Sequence, residues 1–371
     1  MTERADVIVI GAGIIGCAIA YQLARRGAAV RLFDARAIGG GATQASAGVL
    51  APYIESPSPG PLLDLAARSL SMYDRFISDL HQDSGIDVEY RLTGTLEVMT
   101  EPDAATHAKE NVHEGGEWFD TASAVALEPS LPPTIHGAIL TRAHGYVVAP
   151  QLTEALTWAA LRYGAEMETG RRVAGIERRG DDLEIRTDDG ERWIAGRVVI
   201  AAGSWAAQVG VADRASAAVR PIRGQLIRLA WPARSPRHVL WGPDCYVVPW
   251  RDGSVLVGAT VEDVGFDERT TAAGVRDLLD AVCELVPAAW GATFREARVG
   301  LRPATSDGLP IIGPSGSMPG VIYATGHYRN GILLAPVTAA LVTDLILDNR
   351  FDPALQGFHP LRFSVKEGQA P

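Results

Sequence analysis

Lysine is almost missing from this chain. Of its 371 residues only Lys109 and Lys366 carry an ammonium side chain, so the positive charge is nearly all arginine. No stretch is dense enough in arginine to make a polybasic patch. The net charge of −10 and a pI near 5.3 argue against nucleic acid as a partner, because a phosphate backbone is bound by clustered positive charge. Cysteine is also scarce. Cys17, Cys245 and Cys283 are odd in number, far apart and never in a C-x-x-C pair, which suggests neither a disulfide framework nor a zinc site. No apolar run is long enough to span a membrane. The stretch from Val7 to Leu23 is broken by Gly11, Gly13 and Gly16 and lacks the cleavage region of an export signal. No G-x-S-x-G elbow accompanies the histidines, which removes the obvious hydrolase. His327 has no second His or Cys at ligand spacing, so no metal is expected. What remains is a cytoplasmic, small-molecule protein with no membrane and no nucleic-acid partner.

Hydrophobic residues make up 47% of the chain, enough for a large core, and the length favours two domains. The first strong pattern is at the amino terminus. Asp6 to Ile10 is a short apolar run of the kind that forms a buried parallel strand, and it feeds into Gly11-Ala-Gly-Ile-Ile-Gly16. Ile15, Ala18, Ile19 and Leu23 follow at helical spacing, Arg25 and Arg26 fall in the last turn, and Gly27 stops the helix. Ala29 to Phe33 then reads as a second strand ending at Asp34. In that order Gly11 permits the tight turn, Gly13 lets the backbone approach a pyrophosphate, and Gly16 lets helix and strand pack closely. The phosphates would meet a helix N-terminus, and Asp34, 18 residues past Gly16, is placed to accept from a ribose hydroxyl. The fingerprint alone does not separate NAD from FAD.

A second unit starts at Val147 to Pro150, where Pro150 precedes a helix from about Leu152 to Tyr163. Ala165 to Arg172 leads into a strand from Val173 to Arg178, with polar turns at Gly180 to Asp182 and Asp188 to Gly190. Arg197 to Ile200 reads as a buried strand running into Ala201, Ala202 and Gly203. Those small residues either admit a ligand close to the backbone or serve tight packing. Near the C-terminus Val321 to Thr325 reads as a strand, Gly326 to Gly331 as a loop, and Ile332 to Leu347 as a helix.

With these pieces placed, the chain resembles the D-amino-acid oxidase family of FAD-dependent oxidoreductases, and within it the glycine oxidases of thiamine biosynthesis. The resemblance spans nearly the whole chain. It rests on Gly11 to Gly16 with Asp34, on Gly41 to Pro52, on Pro221-Ile-Arg-Gly224, and on Tyr246-Val-Val-Pro249 with Val257-Gly-Ala-Thr260. It rests further on Gly300-Leu-Arg-Pro303 through Gly313, and on Gly326-His-Tyr-Arg-Asn-Gly-Ile-Leu-Leu-Ala-Pro336. The resemblance implies non-covalent FAD, contacted by Ile14, Ile15, Asp34, Ala35, Ala42, Thr43, Ala47, Gly48, Val49 and Val173. The same contact set would take in His327, Tyr328, Arg329, Asn330, Gly331, Ile332 and Leu333. Tyr246, Arg302 and Arg329 would contact a small amino-acid substrate, with Arg302 on its carboxylate, and the family implies a homo-oligomer, a tetramer. Asp244 and Val261 depart from the glycine-oxidase pattern, which bears on pocket size or polarity and so on substrate identity.

The residues support that chemistry. An amino-acid oxidase must present the substrate Cα hydrogen to flavin N5, a task of positioning, and a guanidinium matches a carboxylate with a planar fork. Outside this context an arginine such as Arg302 would read as a surface ion pair. Arg329 either reaches the carboxylate or pairs with Glu55, and Glu55 to Pro61, rich in proline and glycine, is either a lid or a plain connection. Tyr246 sits in an apolar run that suits a strand lining a pocket or a core position. The N-terminus of the last helix offers donors for negative charge on the flavin.

The expected architecture is α/β: a doubly wound, Rossmann-like FAD-binding domain with a mainly antiparallel α+β substrate domain. The first would comprise 1–82, 145–220 and 300–371, the second 83–144 and 221–299. The expected reaction is oxidative deamination of glycine, sarcosine or D-alanine by hydride transfer, giving hydrogen peroxide from molecular oxygen. A dehydrogenase of the same fold that passes electrons to a carrier other than oxygen, and a flavin-bound protein with no catalysis, stay open.

Overall fold

The computed structural model describes residues 3–56, 58–211, 214–232 and 235–363. The end of the expected C-terminal segment, 364–371, and Pro57 of the Glu55 to Pro61 stretch lie outside the described residues. The central parallel sheet has the first strand, Glu3–Ile10, between Val30–Asp34 on one side and Arg192–Ile200 on the other. Glu166–Thr169 extends it beyond Val30–Asp34, and Val321–Thr325 pairs parallel with the end of Arg192–Ile200. Alternation along these strands decides what each face buries. Val7 and Val9 face a core with the helices Ile14–Arg25, Pro61–Ser84, Ala149–Arg162 and Gly331–Leu347, while Ile8 and Ile10 face the other layer. That second layer is not a row of long helices. The short helical turns Gly203–Gln208 and Arg214–Ala217 pack there, together with the hairpin Val173–Arg179 and Asp182–Thr187, which continues the same sheet antiparallel to Arg192–Ile200.

Two local readings shift. The helix expected from Leu152 begins three residues earlier, at Ala149, because Pro150 is accepted in the first turn, where its missing N–H costs nothing. The strand Glu166–Thr169 was not expected: its sequence is polar, and it forms because it is an edge strand with half its side chains in water.

A second sheet of eight strands stands beside the first. Its order is Thr293–Ala304, Arg220–Ala230, Ser254–Gly258, Tyr246–Pro249, Val239–Trp241, Thr95–Met99, Gly137–Thr141 and Gly116–Phe119. Every pairing is antiparallel except Val239–Trp241 with Thr95–Met99. The long strand Thr293–Ala304 runs against Arg220–Ala230 from Arg220↔Ala304 to Ala230↔Thr293 and carries Arg302 toward the first sheet. Among the described residues no helix is long and apolar enough to cross a membrane.

The last helix contains Pro336, which has no N–H for the carbonyl one turn back, that of Ile332. The orphaned carbonyl is taken up by the buried Tyr73, whose hydroxyl donates to Ile332 O at 2.5 Å. Ser69 donates to Leu333 O at 2.6 Å beside it. Both partners come from the helix Pro61–Ser84, so the turn before the proline becomes a docking point between two helices. Tyr73→Phe leaves the Ile332 carbonyl buried and unpaired, and is expected to lower unfolding stability by about 1–3 kcal/mol in a urea titration without changing the flavin spectrum.

Candidate active site

One long cleft of about 420 Å³ runs between the two sheets, inside the usual range of ligand pockets, roughly 300–1,000 Å³. Its floor is the turn after the first strand. Gly11 has φ +107°, and a Cβ there would lie 2.4 Å from the Ala201 carbonyl oxygen, so the turn and the end of the neighbouring strand close only around glycine. The helix Ile14–Arg25 begins here, and the Ile14 N–H is held by the Thr43 hydroxyl at 3.0 Å. Asp34 stands at the end of its strand and accepts from the Ala12 N–H at 2.6 Å and the Arg36 N–H at 2.8 Å, one on each oxygen. Burial pushes its carboxyl up, and these backbone donors pull against that rise. Each oxygen keeps a lone-pair direction for a hydroxyl.

These residues suit a dinucleotide: a helix N-terminus approached through glycines, and an aspartate oriented by backbone at the strand end. Gly11, Gly13, Ile14, Ile15, Asp34, Ala35, Ala42, Thr43, Ala47, Gly48, Val49 and Val173 line the cleft. So do Ala202, Gly203, His327, Tyr328, Arg329, Gly331 and Ile332. Gly16, Asn330 and Leu333 do not. A Cβ on Gly16 would sit 1.8 Å from the Gly11 carbonyl oxygen, so this glycine works by packing helix on turn. Leu333 is in the core, and Asn330 occupies the N-cap of the last helix. His327 is buried with its Nε2 at 3.2 Å from the Thr338 hydroxyl, and burial pushes its imidazole down to about 3, so it is neutral near pH 7.

At the other functional centre of the cleft, Arg302, Tyr246, Arg329 and Glu55 come together. The Arg302 guanidinium donates to two carbonyls, Thr260 O at 2.9 Å and Arg223 O at 3.4 Å, and no carboxylate among the described residues lies within ion-pair distance of it. Burial pushes it below its ordinary value, with Tyr246 acting in the opposite direction. A partly buried cation held by neutral acceptors is prepared for an anion from outside. Arg329 is already partnered: its Nε lies 3.0 Å from Glu55 and its guanidinium 5.5 Å from the centre of the Trp241 ring. Burial raises the Glu55 carboxyl, and Arg329 draws it back down. Glu55 ends the short helix Pro52–Glu55, and the next helix starts at Pro61, so the stretch between is short. Tyr246 is raised by burial and stacks on Trp241 at 5.2 Å.

Two glycines create the room for these side chains. A Cβ on Gly224 would lie 2.2 Å from the Arg302 guanidinium carbon, and one on Gly258 would lie 2.4 Å from the Tyr246 hydroxyl. Both glycines lie in motifs noted in the sequence, but their function as space for a partner on a neighbouring strand is visible only in the fold. Gly224→Ala is expected to displace the Arg302 fork and raise KM for substrate about tenfold or more with the flavin still bound, as steady-state kinetics on the yellow protein would show. Sequence reasoning also missed Arg36, Trp205, Gln208 and Arg171, which line the cleft, and Trp241. Asp244 and Val261, noted as departures, do not line the cleft, and both are exposed.

The family model for FAD dependent oxidoreductases matches residues 6–345. The bifunctional protein ThiO/ThiG of Synechocystis sp. is 36% identical over 370 residues, covering 98% of this chain and 55% of that protein. The chain thus spans about half the length of the bifunctional relatives it matches. A glycine oxidase of Geobacillus kaustophilus is 34% identical over 93% of this chain and 94% of its own length. The crystal structure of glycine oxidase from Geobacillus kaustophilus superposes with a TM-score of 0.91 at 33% identity, covering 97% of this chain and 99% of that one.

Proposed function

This chain belongs to the FAD dependent oxidoreductase family, and we propose that within it the protein oxidises glycine and other small amines such as sarcosine and D-alanine. The observation that carries the reading is Arg302: a partly buried guanidinium lining the dinucleotide cleft, held by two carbonyls and, among the described residues, without a carboxylate in ion-pair distance. Bound FAD supplies a two-electron acceptor for the hydride of the substrate Cα and a route for those electrons to molecular oxygen. Arg302 takes the substrate carboxylate with its planar fork, which fixes the orientation of the Cα hydrogen. Tyr246, stacked on Trp241, forms a wall beside that carboxylate. Arg329 serves the same anion from the entrance side, sharing its charge with Glu55. No side chain needs to move a proton on carbon. The amine leaves as an imine, which water converts to the 2-oxo acid and ammonia, or methylamine from sarcosine, while oxygen gains two electrons and two protons as hydrogen peroxide.

The N-terminus of Gly331–Leu347, whose first residues line the cleft, supports a role for its free N–H groups in stabilising negative charge on the cofactor. We read the cleft-lining residues predicted from the sequence as the FAD contacts. The division into a cofactor domain of 1–82, 145–220 and 300–371 and a substrate domain of 83–144 and 221–299 is supported by the strands of the two large sheets, with Thr293–Ala304 crossing the seam. The relatives' names support a place in thiamine biosynthesis, where the imine would feed thiazole formation. A homotetramer in the cytoplasm completes the reading. Oxygen consumption with glycine tests it: one peroxide formed per oxygen consumed supports an oxidase, and rapid dye reduction with negligible oxygen uptake would make it a dehydrogenase.

A further inference from the structure

A set of contacts at the Asp34 end of the cleft has no part in the oxidation chemistry. Arg36 lies two residues beyond Asp34 and donates to it through its backbone N–H at 2.8 Å. Its guanidinium donates to the Gly40 carbonyl at 3.2 Å and lies 4.1 Å from the centre of the Trp205 ring. Arg36 and Trp205 both line the cleft. The same guanidinium is gripped by both carboxylate oxygens of Glu268, at 2.8 and 2.6 Å, and Trp205 meets Phe266 with ring centres 5.8 Å apart. Glu268 and Phe266 belong to residues 259–271, which leave the strand Ser254–Gly258 of the second sheet. Two side chains from the substrate side thus reach across to two from the cofactor wall.

The crossing segment is firmly rooted. Arg223, 4% exposed, donates to Glu262 at 2.5 Å and pairs with Asp267 at 3.0 Å. Gln225 donates to Glu262 at 2.8 Å and to the Thr271 hydroxyl at 2.9 Å, and the Thr260 hydroxyl donates to Glu262 at 2.6 Å. With its base fixed in this way, the segment can hold its far end against the cleft wall at little further loss of chain entropy.

We propose that residues 259–271 form a strap whose Arg36–Glu268 pair sets how long FAD stays bound. The pair immobilises the residue that orients Asp34 and keeps the Trp205 ring against the cleft, so that the adenosine end of the cofactor is released only after the strap lifts. The planar two-point grip requires both a guanidinium and a carboxylate. The proposal rests on FAD as the cofactor and not on which amine is oxidised.

The test follows flavin release without any amine. Glu268→Gln and Arg36→Met holoenzymes are diluted into buffer lacking FAD, and the return of free-flavin fluorescence gives the dissociation rate. Each variant is expected to release FAD about tenfold faster than the parent, the loss of one charge-assisted pair. The double variant should be no faster than the faster single, because both remove the same contact. Arg269→Gln, on the same segment with its partner Asp267 on that segment too, should leave the rate unchanged. The apo-proteins should melt like the parent. Parental release rates in both single variants would overturn the proposal, and so would apo-protein melting lowered as much as that of the holoenzyme, which would make the strap purely structural.

Discussion

Replacing Arg302 with Met should leave the protein folded and yellow but lower kcat/KM for glycine by about two to three orders of magnitude. The size follows from what the guanidinium faces. Among the described residues its partners are two carbonyls and no carboxylate lies within ion-pair distance, so a substrate carboxylate would supply the missing ionic partner. Met fills similar space and removes both the charge and the fork. Arg302→Lys keeps the charge and loses the two-point geometry, so its loss should be intermediate. A non-oxidisable carboxylate such as acetate is expected to shift the flavin spectrum of the parent through Arg302 and to leave that of the Met variant unchanged. If Arg302→Met kept parental kcat/KM, the substrate carboxylate would have to be bound elsewhere, with Arg329 the next residue to change.

The second large effect is expected at Gly16, which does not touch the cleft. A methyl group there would lie 1.8 Å from the Gly11 carbonyl oxygen, and the helix Ile14–Arg25 would have to move off the turn that it caps. Gly16→Ala should therefore purify nearly colourless and bind added FAD at least about a hundredfold more weakly, read from a fluorescence titration of the apo-protein. Gly27→Ala is the contrasting case. Its Cβ would meet nothing, and only the positive φ of 89° is strained, so a stability loss of about 1 kcal/mol with FAD binding intact is expected.

The features legible in the sequence are those whose parts are neighbours in the chain. The strand, glycine turn, helix and Asp34 lie within the first 34 residues, and the strand, loop and helix of the last segment are equally contiguous. Their backbone geometry needs particular residues at fixed spacing, so the residues announce it. Contacts between distant segments carry no such signature. Arg36 and Glu268 are 232 residues apart, Tyr73 and Ile332 are 259 apart, and neither pair has a local pattern that names its partner. Gly224 and Gly258 were visible within motifs, yet their meaning depends on which side chain a neighbouring strand lays over them. The departures at Asp244 and Val261 mislead for the same reason: position within a motif does not say which way a side chain faces, and both face solvent. The polar strand Glu166–Thr169 escaped because only its register against Val30–Asp34 makes it a strand.

In the proposed function this cleft holds FAD beside a carboxylate site for a small amine. Its most direct test is the flavin absorbance of the purified protein under anaerobic conditions as glycine, sarcosine and D-alanine are added in turn, followed by air. Glycine is expected to bleach the visible band, and air to restore it with formation of hydrogen peroxide. A flavin band left unchanged by all three amines would contradict the oxidase reading and leave the family fold without the proposed substrate.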